Sequence, residues 1–248
     1  ILARIPGVHS TGAVLLTSHY DSMPTTPSAA DGGAGVATIL ETVRAIQAGP
    51  PLKNDVIVFI GDADVNGVIG HMAFADHAWR QDVAVGFDFE GIGPDGPSVL
   101  VFDGQGLPNP DPNTEPAVPF PQNGWWLREA LKVLPYPTLM LTLNSIPIGT
   151  SPDVMVVIWG IDAAGIGFAQ FRGTEVYHTR LDTPARIDVR TLQHHGYNAL
   201  TLTRHYGNLA LDQASRPPRP NLIAFNVLPW RVVAYPQTWV LPLSVAVA

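Results

Sequence analysis

Short apolar runs of strand length, each ending in a histidine or a carboxylate, restrict this chain more than any other feature. Gly12-Ala-Val-Leu-Leu-Thr-Ser18 leads into His19-Tyr20-Asp21. Asp55-Val-Ile-Val-Phe-Ile-Gly61 leads into Asp62-Ala63-Asp64. Val83 to Phe89 closes on Asp88-Phe89-Glu90. Ser98 to Phe102 and Ala164 to Phe171 are two further strand-like runs, and Ile1 to Ile5 is strand-like as well. Runs with no polar alternation are covered on both faces, which is the pattern of parallel sheets. Between the first two runs, Val36, Ala37, Ile39, Leu40, Val43 and Ile46 recur at helical spacing. A helix is therefore predicted over Ala34 to Ala48, stopped by Gly49-Pro50-Pro51. Further helices are expected at Trp125 to Leu134, Ser151 to Trp159 and Thr191 to Leu209, although Gly196 weakens the last. Strands alternating with helices make a layered α/β domain with a largely parallel sheet.

Composition removes several classes of function. Lys and Arg number 14 against 21 Asp and Glu, a formal charge of −7, which excludes a basic nucleic-acid footprint. With 46% hydrophobic residues the chain can build a core. The absence of cysteine excludes disulfides, a thiol nucleophile, iron–sulfur chemistry and Cys-ligated zinc. No apolar stretch reaches the roughly 18 residues of a membrane helix. Leu107 to Gln122 holds six prolines and is expected to be a loop or insertion. Arg216-Pro-Pro-Arg-Pro220 reads as an extended linker. The expected division is a domain over 1–211 and a tail over 212–248. The sequence starts without Met and ends in the uncharged run Trp239 to Ala248. That run is either an ordinary terminal element or the opening turns of a membrane helix.

In open α/β sheets, ligands gather beyond the carboxyl ends of the strands. His19, Asp21, Asp31, Asp62, Asp64, Asp88, Glu90, His178 and Asp182 all fall at strand ends or in the following loops. Taken singly each is ordinary: a solvated histidine, a helix cap or a surface acid. Jointly they supply the oxygen and imidazole donors that zinc and similar ions prefer.

The arrangement resembles the co-catalytic zinc aminopeptidases, family twenty-eight of the metallopeptidases (clan MH), in particular the membrane-anchored members. The resemblance rests on His19-x-Asp21 after a strand, Ala30-Asp31-x-x-x-Gly35 twelve residues on, Asp62-x-x-x-x-Gly67-x-x-Gly70, and Tyr177-His178-Thr-x-Leu-Asp-Thr-Pro184. It spans about Ile1 to Gly207. It implies a three-layer α/β/α sandwich with a central mixed, mostly parallel sheet. It also implies that His19 and Glu90 bind one metal, Asp31 bridges two, His178 binds the second, and Asp21 orients His19. Asn221 to Val247 resembles the segment leading into the membrane in anchored members, so the domain is expected to be membrane-anchored on the extracytoplasmic side.

One stretch departs from the family pattern Gly-Glu-Glu-x-Gly-Leu-Leu-Gly. Counting back from Gly70 and Gly67, the general-base Glu is Asp64 and the metal-ligand Glu is Val65. The base is one methylene short, and valine cannot coordinate. One zinc site, His19 with Asp31 and Glu90, is expected to be complete and the second impaired. The leading expectation is a zinc exopeptidase of reduced competence acting on the amino-terminal bond of peptides. The alternative is a pseudo-peptidase that binds a protein partner. A glutaminyl-cyclase-like acyl transfer ranks third, because its metal would use the damaged side. His194 and His195 are expected to be structural, and His71, His77 and His205 to lie on the surface. Gly32-Gly33-Ala34-Gly35 lacks the Lys-Ser/Thr of a phosphate loop.

Overall fold

A computed structural model describes residues 1–65, 67–101, 124–140, 163–217 and 219–247. The expected helix at Ser151 to Trp159 and the proline-rich stretch Leu107 to Gln122 lie outside the described residues.

Among the described residues, seven strands form one mixed sheet: β1 (Leu2–Ile5), β2 (Ala13–His19), β3 (Asp55–Gly61), β4 (Val83–Gly91), β5 (Val99–Val101), β6 (Leu139–Met140) and β7 (Ala164–Gln170). Their order is β1-β3-β2-β4-β7-β5-β6. The central run β3-β2-β4-β7 is parallel, and β1 and β5 pair antiparallel at either side of it. The α-helices among the described residues are α1 (Gly35–Gln47), α2 (Ile69–Ala75), α3 (Trp126–Val133), α4 (Val189–Tyr206) and α5 (Val240–Val247). A separate antiparallel hairpin joins β8 (Leu222–Leu228) to β9 (Arg231–Pro236).

Strand alternation sorts the core into two faces. Val14, Leu16, Val56, Val58 and Ile60 pack on one side with Ile39 and Ile46 of α1, Trp126, Leu127 and Ala130 of α3, and Leu202 and Tyr206 of α4. Ala13, Leu15, Ile57 and Phe59 face the other way, against Phe74 of α2. That gives the α/β/α layering. Burying a side chain such as Phe87, Phe89 or Phe168 contributes about 1.5–3 kcal/mol apiece. Edge strand β1 is tied in by Arg4, whose Nε donates to Asp55 Oδ2 at 2.7 Å and whose Nη1 donates to Asp82 Oδ2 at 2.6 Å.

The hairpin begins inside the body and ends outside it. Leu222, Ile223 and Ala224 are buried. The Asn226 amide extends this anchorage, accepting from Leu139 N–H and donating to Pro137 O, both at 2.8 Å. Beyond it, Val227, Leu228, Trp230 and Val233 are exposed, as are Leu241, Leu243 and Val245 of α5. No helix among the described residues is long and apolar enough to cross a membrane.

Candidate metal centre

The parallel strands β2 and β4 end side by side, and this sets the first two donors. Their last paired positions are Thr17 and Asp88. Two residues further along each strand, on the same face, come His19 and Glu90. His19 Nε2 lies 3.2 Å from Glu90 Oε2. Asp31 arrives from the turn Ala29–Ala34 that precedes α1, with its Oδ1 at 3.3 Å from the same nitrogen. Gly32 makes this approach feasible. Its φ is +83°, and a Cβ there would stand 2.6 Å from the His19 carbonyl oxygen and 3.1 Å from the ring.

The other oxygen of Asp31 faces a second imidazole. Asp31 Oδ2 is 3.0 Å from His178 Nε2. His178 adopts a left-handed backbone (φ 57°) and stacks on Tyr177 with ring centroids 3.8 Å apart. One carboxylate therefore spans two histidines. Asp21 supports the first: His19 Nδ1–H donates to the Asp21 carbonyl at 3.0 Å. The Asp21 carboxylate in turn accepts from the backbone N–H of Asp64 at 2.9 Å and of Val65 at 3.2 Å. It thereby locks the loop after β3 onto the loop after β2.

The cluster calls for a positive charge. Burial opposes a proton on His19, but the facing Glu90 and Asp31 carboxylates outweigh it and push the imidazole far above its ordinary value. Burial, with Asp31 and Glu90 nearby, also pushes the Tyr177 phenol up, so it stays neutral. Asp31 Oδ2, Glu90 Oε1 and His178 Nε2 are buried without an aligned hydrogen bond. Leaving a buried polar atom unsatisfied costs about 1–3 kcal/mol. Donor atoms of His19, Asp31 and Glu90 lie within 4.8 Å of one another. One imidazole and two carboxylates suit a divalent ion such as zinc, so the residues present fit the metal implied by the sequence pattern.

Of the six residues given a role by the resemblance, the structure brings five into this network by their side chains or ring contacts: His19, Asp21, Asp31, Glu90 and His178. Asp64 joins through its backbone, while its carboxylate turns to His71, with Oδ1 3.0 Å from Nδ1. The expectation that His71 is a surface residue is wrong: it is fully buried. Its ring fills a slot that Gly61 leaves open, and its other nitrogen meets Thr17 Oγ1 at 2.8 Å. His77 is exposed, and His205 is half-buried beside Glu129. The sequence pattern placed Asp182 near the site but gave it no role; it is 1% exposed. Its two oxygens accept from Ala30 N–H at 2.8 Å and Asp31 N–H at 3.1 Å, fixing the turn that carries Asp31. The signal available was its place in the Tyr177 to Pro184 stretch.

His194 and His195 are consumed by hydrogen bonds. His194 accepts from Ser98 N–H and donates to the Tyr136 carbonyl, both at 3.1 Å. His195 Nε2–H donates to the Glu90 carbonyl at 3.1 Å, and its Nδ1 accepts from Ser98 Oγ–H at 2.5 Å. Burial pushes His195 down to about 4, so the ring is neutral and holds the Glu90 backbone in place.

Known proteins share this arrangement of strands and helices. An aminopeptidase from Bacillus subtilis, described as a zinc aminopeptidase, superposes with a TM-score of 0.62 at 21% identity, over 87% of this chain and 51% of that one. "Endoplasmic reticulum metallopeptidase 1" of Mus musculus is 24% identical over 232 residues, covering 91% of this chain. "Vacuolar membrane protease" of Yarrowia lipolytica is 28% identical over 212 residues, covering 84% of this chain. The chain spans only 24% and 20% of the lengths of these two relatives. The family profile of peptidase family M28 matches residues 1–203. With that match covering well over half of its length, the chain belongs to peptidase family M28.

Proposed function

We propose that this chain is the zinc-peptidase domain of a membrane-attached exopeptidase that cleaves the amino-terminal bond of peptides, with a weakened second metal position. The observation that carries this reading is Asp31, whose two carboxylate oxygens face His19 with Glu90 on one side and His178 on the other. Membership of family M28 supports hydrolytic chemistry, and the names of the relatives support attachment to a membrane. In this reading residues 1–211 carry the chemistry, and 212–248 lead toward the membrane on the extracytoplasmic side.

His19, Asp31 and Glu90 would hold the ion, and zinc bound there supplies Lewis acidity that polarises a peptide carbonyl and acidifies water. Asp21 and Asp182 orient the donors, the first by holding His19 and the second by holding the Asp31 backbone. Asp64 receives the proton and passes it to the leaving amine. The second position has His178 and a share of Asp31, but its remaining donor is replaced by Val65. Two protein ligands bind zinc weakly compared with three.

A second reading rests on Val65: a peptidase-like domain that has kept its fold in order to bind a protein partner. Zinc titration of the metal-free chain separates the two. One tight equivalent, lost in His19→Ala, together with slow hydrolysis of amino-acid anilides, is expected. Two equally tight equivalents, or none, would refute the proposed site. Turnover in the ordinary enzyme range of about 1–10³ s⁻¹ would refute the weakened second position.

A further inference from the structure

A buried histidine that the chemistry above does not use sits behind Asp64. His71 belongs to the first turn of α2 and is 0% exposed. Its slot is shaped for it. Phe59 meets the ring edge-on with centroids 5.0 Å apart, and a Cβ on Gly61 would stand only 3.0 Å from Cε1. Both ring nitrogens are engaged, Nε2 with Thr17 Oγ1 at 2.8 Å and Nδ1 with Asp64 Oδ1 at 3.0 Å. An ionised carboxylate only accepts, so Nδ1 carries a proton. In the neutral ring Nε2 then accepts from the Thr17 hydroxyl. A single chain of hydrogen bonds thus runs from β2 through α2 to the loop after β3. Asp64 is held at its backbone by Asp21 and at its side chain by His71.

We infer that His71 is the positioning residue for Asp64, fixing the carboxylate in the orientation in which it takes up a proton during peptide hydrolysis. The inference rests on the proposed function. A short aspartate side chain has little reach, so a small rotation moves its oxygens away from the reacting water. Misplacement by about 1 Å can cost roughly 10²-fold in rate. His71 removes that freedom without touching the substrate.

The test compares the zinc-loaded chain with His71→Asn, His71→Gln, Thr17→Val and Asp64→Asn. It measures anilide kcat and KM, zinc stoichiometry and thermal unfolding. The amide nitrogen of asparagine falls near the Nδ1 position and can still donate to Asp64. The amide of glutamine falls near Nε2 and cannot. H71Q is expected to lose about 10- to 100-fold in kcat, with KM and zinc stoichiometry unchanged, while H71N recovers most of the loss. In the D64N background, H71Q should change nothing further, because the two residues act as one unit. Should H71Q fail to fold, T17V is the substitute, since it removes the partner that holds Nε2. A smaller fall in kcat at constant KM is expected from it. Equal losses in H71N and H71Q, or unchanged kcat in H71Q, would overturn the inference. If the wild type binds one zinc but hydrolyses no anilide, the peptidase reading fails and the positioning role falls with it. A downfield Nδ1–H proton resonance that disappears in D64N would then mark the contact as structural only.

Discussion

Replacing Asp182 by alanine tests whether the candidate metal cluster is organised by a residue 151 positions from Asp31. Asp182 is almost completely buried, and its two oxygens accept from two consecutive backbone amides, Ala30 and Asp31. Removing the carboxylate leaves both N–H groups without an acceptor. Each costs about 1–3 kcal/mol when unsatisfied, and water entering the space left by the carboxylate recovers part of it. A net loss of about 3 kcal/mol is expected in urea denaturation of the metal-free protein. Asp182→Asn should recover less than half, because one of its two positions becomes a donor facing a donor. The turn over Ala29–Ala34 also aims Asp31 at both imidazoles, so zinc affinity should fall about 10- to 100-fold, the usual cost of losing an orienting partner. Asp76→Ala, at an exposed position, is the control and should stay within about 0.5 kcal/mol of wild type. If D182A unfolds within that same margin and binds zinc as tightly as wild type, the two amide bonds do not organise the turn and the reasoning is wrong.

Three further outcomes are expected. The double change Asp64→Glu with Val65→Glu should add a second zinc equivalent and raise anilide hydrolysis, whereas Asp64→Glu alone should help little. Val65→Glu alone should restore stoichiometry but not rate, and the effects should be non-additive. A double variant that binds no extra zinc and stays as slow as the parent would favour the binding-domain reading. The third outcome concerns pH. Burial holds His195 at about 4 in the fold against 6.5 for the free side chain. The unfolded chain therefore binds the extra proton between those values. Stability from this group is complete above about pH 6.5 and is lost as pH falls toward 4, by up to about 3 kcal/mol. Denaturation midpoints from pH 7 to pH 4 should fall less steeply in His195→Gln, and parallel curves would count against the assignment.

Much of the fold was legible because parallel strands buried on both faces leave an unbroken apolar signature. Asp55–Gly61 was bounded correctly from sequence, and α1 to within a residue at each end. β4 runs on to Gly91, so Glu90 lies within the strand rather than just past it. Less visible were features fixed by distant contacts. Nothing local tells that Gly61 opens a slot for His71, or that Asp182 meets amides far away in the chain. The β8–β9 hairpin was missed for a different reason. Its turn places Trp230 at φ 60°, a conformation usually announced by glycine or asparagine. Tail residues that read as a linker and a membrane-leading segment therefore include a hairpin whose first half is core.

The way Asp21 grips the loop after β3 bears on how such a domain changes over evolutionary time. Its carboxylate bonds the main-chain N–H groups of Asp64 and Val65, not their side chains. Any residue except proline offers the same N–H, so this grip by Asp21 does not depend on which side chains positions 64 and 65 carry. Neither position supplies the buried apolar core. Mutation at position 65 can therefore remove or return a metal ligand without breaking this grip, whereas a change at 64 also leaves the buried His71 Nδ1 without its carboxylate partner. Lineages of this fold can drift between working enzyme and inert relative by single codon steps, while the framework that would accept the lost group stays intact.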